Sequence, residues 1–179
     1  MSQNNSYEFN CQYINAITYL KEHGCLSLIT YLEDSPIEIT IEEIGFNEQN
    51  YTVVDLGVNS IGWNARQGLL TDLGHKLSPA IRLYHELAHQ EHKLRNPEKF
   101  LRDTAPNNSV YQNKDDESII KNEETDAARK CGEIPQDAIT RESHGGTSFE
   151  TTSSTSRNII NINDEIRMWQ YTWGESETY

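Results

Sequence analysis

Basic residues are scarce in this sequence, and long apolar runs are missing altogether. Lys and Arg number 15 against 28 Asp and Glu, which sets the formal net charge at −13. A chain so acidic repels phosphate backbones and anionic lipid, which argues against nucleic-acid or membrane-surface binding as its main activity. No stretch of 18 consecutive apolar residues occurs, so the sequence offers no transmembrane helix. Cysteine is sparse: Cys11, Cys25 and Cys131 are odd in number and lack CxxC spacing. Neither a disulfide framework nor a cysteine zinc site is indicated, and a reducing compartment at the place of action is the simpler reading. Met1 to Ser6 lack the basic-then-apolar order of a cleaved signal peptide, although export routes that read a polar, Ser/Asn-rich leader stay open. Apolar residues are only 35% of the 179, yet nine Tyr, three Trp and four Phe argue against wholesale disorder. The expectation is a disordered leader over residues 1–9 and a single domain over 10–179, with a modest core and long polar loops.

Apolar residues at three- and four-residue steps (Tyr13, Ile14, Ile17, Leu20), followed by Gly24, predict a short amphipathic helix over 11–23. Residues 26–32 are apolar and β-rich. Ile37, Ile39 and Ile41 alternate with polar neighbours, and 51–54 and 58–63 are further strand candidates, so a small, mainly antiparallel sheet is expected. Ser78 can cap a helix, and Pro79 suits its first position, where a missing N–H costs nothing. Apolar positions carry that helix to about Leu94. Residues 104–122, rich in Asn, Asp and Ser, read as a surface loop, and Glu123 to Lys130 as a second helix closed by Gly132 and Pro135. The Ser/Thr tract 147–156 is expected to be flexible, and 159–173 to form a last helix or strand.

The helix starting at Pro79 contains His85-Glu86-Leu87-Ala88-His89. Two His four apart project from one helix face and can hold a single zinc ion. Glu86, beside the first of them, can take a proton from water at the open coordination position and later deliver it to a leaving amine. Chance produces this three-position pattern in on the order of one chain in a few hundred of this length. The pattern predicts an α+β zincin fold of minimal size, with a small mixed or antiparallel sheet against the active-site helix. Further helices would carry the third metal ligand.

For that third ligand, His92 is poorly placed, because His85, His89 and His92 span two turns of one straight helix. The sequence after His89 lacks the glycine of the metzincin pattern. The gluzincin arrangement takes its third ligand from a Glu on a second helix tens of residues downstream, and Glu123-Glu124 opens a helix so placed, with Glu123 and Glu124 as alternatives, although acids at a helix N-terminus are common for dipole reasons alone. Asp126 could accept a hydrogen bond from a ligand imidazole. For the donor that stabilises an oxyanion, Tyr171 and Arg167 lie four apart, and Tyr84 precedes the motif. His144 reads as a turn histidine beside Gly145-Gly146, and Cys131 has no indicated path to the metal.

Residues 78–89, Ser-Pro-Ala-Ile-Arg-Leu-Tyr-His-Glu-Leu-Ala-His, followed by a Glu-Glu helix and Gly132, resemble the NleD-type effector metalloproteases that bacteria inject into host cells. The His-Glu-Leu-x-His and Glu-Glu spacing is also similar to the clostridial neurotoxin light chains. The resemblance covers roughly 79–143 and favours Glu124 as the third ligand beside His85 and His89. It implies a zinc endopeptidase with Zn2+ as cofactor, in which Glu86, from the motif, and Tyr171, from its spacing to Arg167, are the expected catalytic residues. It further implies a secreted virulence factor, a monomer delivered into the host cytoplasm, with stress-activated MAP kinases as substrates. The family commonly has a Thr-Glu-Asn stretch with a downstream Arg and Tyr; here the chain reads Ile139-Thr140-Arg141-Glu142-Ser143, with Arg167 and Tyr171 late. Two readings compete with the enzyme: a metal-stabilised adaptor with a degenerate zincin site, marked by a Cys or His closing the fourth metal position, and a small acidic interaction module of the toxin or antitoxin kind.

Overall fold

The computed structural model describes residues 6–160 and the backbone of 169–170. Two helices open the chain, α1 (Tyr7–Glu22) and α2 (Leu26–Glu33). Strands β1 (Thr40–Glu43), β2 (Tyr51–Thr52), β3 (Ser60–Trp63), β4 (Gln67–Leu70) and β5 (Lys76–Leu77) follow. Next come α3 (Pro79–Arg95), α4 (Pro97–Asp103), α5 (Lys114–Ile119), a π-helical stretch Ile120–Glu124, and α6 (Thr125–Lys130). Strands β6 (Thr147–Glu150) and β7 (Trp169–Gln170) complete the described elements. The class is α+β, as expected. Among the described residues no helix is long and apolar enough to cross a membrane.

The sheet is not one antiparallel unit. A three-stranded sheet runs β1-β3-β2, with β1 parallel and β2 antiparallel to β3, and a four-stranded antiparallel sheet runs β5-β4-β6-β7. Both lean on α3, which also touches α1, α2, α4 and the α5–π–α6 segment. Enclosure on so many sides explains why Pro79 to Gln90 is buried throughout except at Arg82. The start of α3 is fixed by sequence-local chemistry: Ser78 Oγ accepts from the Ile81 N–H, and Pro79 takes the first helical position. Ser78 is held in turn by Glu133, whose carboxylate accepts from its N–H at 2.7 Å and its hydroxyl at 2.6 Å.

Trp63 anchors the core. Its ring meets Phe9 and Tyr13 of α1, and its indole N–H donates to Pro79 O at 2.9 Å, tying β3 to the first turn of α3. Lys93, on α3 one turn beyond His89, is buried and donates to the carbonyls of Val53, Asp55 and Val58. A cation that satisfies three carbonyls pins the loop after β2 against α3, and β2 borders the site described below.

Several sequence expectations are corrected here. Tyr7–Phe9, assigned to the leader, form the first turn of α1: Ser6 caps the helix by accepting from the Phe9 N–H, and Phe9 is buried. Residues 26–33 are helical. Gly24 at φ +84° ends α1, and Leu28, Ile29 and Leu32 then fall on one helical face. The polar stretch 104–122 is a loop only in its first part, because α5 starts at Lys114 under an Asn113 cap. The Ser/Thr tract contains β6: Phe149 lies over Gly68, where an added Cβ would stand 2.6 Å from its ring. Beyond it, Ser154 is bonded through its N–H and hydroxyl to Gln12.

Candidate metal centre

His85 and His89 stand one turn apart on α3, and their Nε2 atoms are 3.1 Å apart. Asp116 Oδ1, from the first turn of α5, lies 3.3 Å from His85 Nε2 and 3.2 Å from His89 Nε2. These three buried residues could hold one metal ion. A tetrahedral ion with bonds of 2.0–2.1 Å has ligand atoms about 3.3 Å apart, so the observed triangle has the size such an ion requires.

The remaining ring nitrogens fix the tautomers. His85 Nδ1 lies 2.9 Å from Glu124 Oε2, and His89 Nδ1 lies 2.7 Å from Asp115 Oδ2. An ionised carboxylate only accepts, so each Nδ1 carries a proton, and both Nε2 atoms face the same small space, where a neutral imidazole offers a lone pair to a metal and a protonated one an N–H to Asp116. The three atoms need positive charge among them, supplied by protons on the imidazoles or by a metal ion that the two neutral Nε2 atoms and the carboxylate oxygen bind together. The residues present therefore fit a bound dication.

Electrostatics agree. Burial would raise Glu124, but the charge of Arg141 and the bond from His85 hold its carboxyl well below the ordinary range. Asp115 behaves alike: burial opposes ionisation, and bonds from His89 and His92 lower it to about 2. Asp116 is also held low against its burial, by His144, His85 and His89. Without a metal, burial pulls the His89 imidazole down while its bonds to Asp115 and Asp116 win and raise it to about 10. The pocket is thus built for positive charge, supplied by protons or by a metal.

One helix delivers these carboxylates because of its π stretch. A regular α-helix would set Glu124, eight residues after Asp116, about 80° away around the axis. The wider π turn takes up that excess and turns both carboxylates toward α3, with Thr125 Oγ1 donating to Ile120 O at 2.7 Å inside it. Asn113 secures the other end: its Oδ1 accepts from the Asp116 N–H and its amide donates to Asp116 Oδ2.

Glu124 therefore stands elsewhere than the sequence reading put it. It is behind His85, on the far ring nitrogen, and both its oxygens are taken. Thr140 Oγ1 donates to Oε1 at 2.7 Å, and Arg141 reaches Oε1 at 3.0 Å and Oε2 at 2.6 Å. Asp116 occupies the position expected of Glu124. Glu123 lies 3.4 Å from His92 Nε2, and His92 Nδ1 bonds Asp115 at 2.7 Å, so His92 faces away from the cluster. Asp126 is exposed and pairs with Lys130, and the carboxylates on the far ring nitrogens of His85 and His89 are Glu124 and Asp115 instead. Cys131 sits in the hydrophobic core, and Tyr84 is buried with its phenol pushed up by that burial. Tyr171 and Arg167 lie outside the described residues.

Glu86 lines an open cleft of about 240 Å³ together with His85, His89, Asp116 and the β2 residues Tyr51 and Thr52. Thr52 Oγ1 is 3.0 Å from both Glu86 Oε2 and Glu86 O, which holds the carboxylate at the cleft wall. His144 enters from the β6 side, with Nε2 3.2 Å from Asp116 Oδ1, and belongs to both cavities that border Glu86. No protein-family model, curated protein or solved structure matches this chain.

Proposed function

We propose that the chain is a zinc-dependent endopeptidase with a minimal zincin arrangement, in which His85, His89 and Asp116 hold the metal and Glu86 is the general base. One observation carries the reading. Two Nε2 atoms and one carboxylate oxygen converge at 3.1–3.3 Å in a buried pocket, next to a glutamate that faces an open cleft. A zinc ion there would supply a Lewis acid that polarises a peptide carbonyl and lowers the pKa of water. Glu86, steadied by Thr52, takes the proton of the attacking water and returns it to the departing nitrogen. Glu124 and Asp115 keep the two imidazoles in the tautomer that presents Nε2. The exchange of Glu124 for Asp116 leaves the chemistry unchanged, since either gives one anionic oxygen beside two imidazoles. Delivery into a host cell and cleavage of stress-activated MAP kinases belong to the same proposal, through the resemblance of residues 78–89.

The adaptor reading keeps one supporting observation, the nearness of His144 to Asp116, because a fourth protein ligand would close the site. Incubating the zinc-loaded chain with those kinases, with and without a chelator, separates the two. Discrete cleavage products that vanish with chelator are expected. Tight zinc binding with intact kinases would instead favour the adaptor.

A further inference from the structure

Asn50 stands immediately before β2, the strand whose Thr52 steadies Glu86. With His85, Glu86 and His144 it borders both cavities at the site, which are thus two parts of one cleft on either side of these residues. Asn50 Oδ1 accepts from the backbone N–H of Asn64 at 3.1 Å. A backbone N–H only donates, so the atom facing it is the oxygen and the amide nitrogen takes the other side. That nitrogen is buried and has no hydrogen-bond partner among the described residues. Buried donors are normally paired, and the cleft that Asn50 borders is where an acceptor can enter. We infer that Asn50 is a substrate-binding residue whose amide donates to a main-chain carbonyl of the peptide, close to the bond that is cut. The inference rests on the zinc endopeptidase reading above.

The support behind Asn50 is fixed before any ligand arrives. Asn64, which holds Oδ1, is itself bonded three ways. Its Nδ2 donates to Ile44 O at 2.8 Å, its Oδ1 accepts from the Arg66 N–H at 2.9 Å, and its O accepts from the Gln67 N–H at 3.3 Å. On the other side of Asn50, the Tyr51 ring covers Gly62 of β3 so closely that a Cβ there would have no room. A donor held by such a turn loses little freedom when it binds. None of these bonds reaches His85, His89 or Asp116, so Asn50 can be changed without touching the metal cluster. A main-chain carbonyl recurs at every residue of a peptide. Its capture beside Glu86 would fix where the chain lies and leave the choice of side chains to the two flanking cavities.

The test uses the full chain loaded with cobalt(II) in place of zinc, because its visible spectrum reports the ligand set, and three probes of the open metal position. Acetohydroxamate carries no peptide. Acetyl-leucine hydroxamate and malonyl-leucinamide hydroxamate carry one on opposite sides of the metal-binding group, with leucine chosen because Val54 and Phe100 line the larger cavity. The readout is the affinity of each peptidyl probe relative to acetohydroxamate. In Asn50→Ala that ratio should fall about tenfold for at least one peptidyl probe, the worth of one hydrogen bond, with cobalt affinity as in the wild type. Asn50→Asp keeps the oxygen that faces Asn64 and loses the donor, so it should show the same fall, and it replaces the alanine variant should that misfold. An unchanged ratio for both peptidyl probes would overturn the inference, leaving the amide to water alone. Weaker cobalt binding in Asn50→Ala would overturn it too, by making Asn50 part of the metal site. So would peptidyl probes that bind the wild type no better than acetohydroxamate. A wild-type chain that takes up no cobalt would remove the zinc reading itself, a failure distinct from the others.

Discussion

Glu86→Gln is expected to stop proteolysis while leaving the metal in place. The substitution keeps the size of the side chain and one carbonyl oxygen that can still accept from Thr52 Oγ1, which now lies 3.0 Å from Glu86 Oε2. What it removes is the capacity to take a proton. General-base catalysis contributes about 10²–10⁴-fold, and because the proposal gives Glu86 the role of both base and later acid, the loss should reach the upper end of that range. Glu86 makes no bond to the His85, His89 and Asp116 cluster atoms, so zinc content should stay near one per chain. Quantified cleavage of the proposed kinase substrate, beside metal analysis of the same sample, reads both effects. Cleavage at the wild-type rate would assign the base elsewhere.

The second large effect separates Asp116 from Glu124. Asp116→Ala removes an oxygen from the cluster and should weaken zinc binding by about a thousandfold or more, since two imidazoles of one helix are left to hold the ion. Glu124→Gln removes only the carboxylate behind His85. Losses of that kind cost about 10- to 100-fold in metal affinity. The Glu124 variant pays differently, in folding: Arg141 is buried against that carboxylate, and taking one partner from a buried pair destabilises by about 3 kcal/mol. Competitive zinc titration with a chromophoric chelator, together with thermal unfolding, distinguishes the two. The reverse order, with Glu124→Gln the more damaging to zinc affinity, would return the ligand role to Glu124.

The helix bearing the motif was readable from its residues because every signal it needs is local. Ser78 caps, Pro79 starts, and the structure ends the helix at Arg95, one residue past the expected Leu94. The third oxygen was harder to read. Asp115 and Asp116 lie in a stretch whose Asn, Asp and Ser content resembles a loop, and the helix they open becomes evident only when Asn113 is seen as a cap and the acids after it as a first turn facing the dipole. That pattern was present in the sequence. The π turn that swings Glu124 behind His85 leaves no simple periodic trace, nor does the pairing of Arg141 with Glu124 seventeen residues apart. Residues 147–150 illustrate the same limit: their strand exists because β4 offers Gly68 opposite Phe149, a partner some eighty residues away.

The central claim is that one ion sits among three particular atoms, and anomalous diffraction at the zinc edge from zinc-grown crystals tests it most directly. The account predicts a single strong peak bonded to His85 Nε2, His89 Nε2 and Asp116 Oδ1, with Glu124 and Asp115 remaining on the opposite ring nitrogens. A pocket without a peak, or imidazoles turned away from each other around it, would contradict the account.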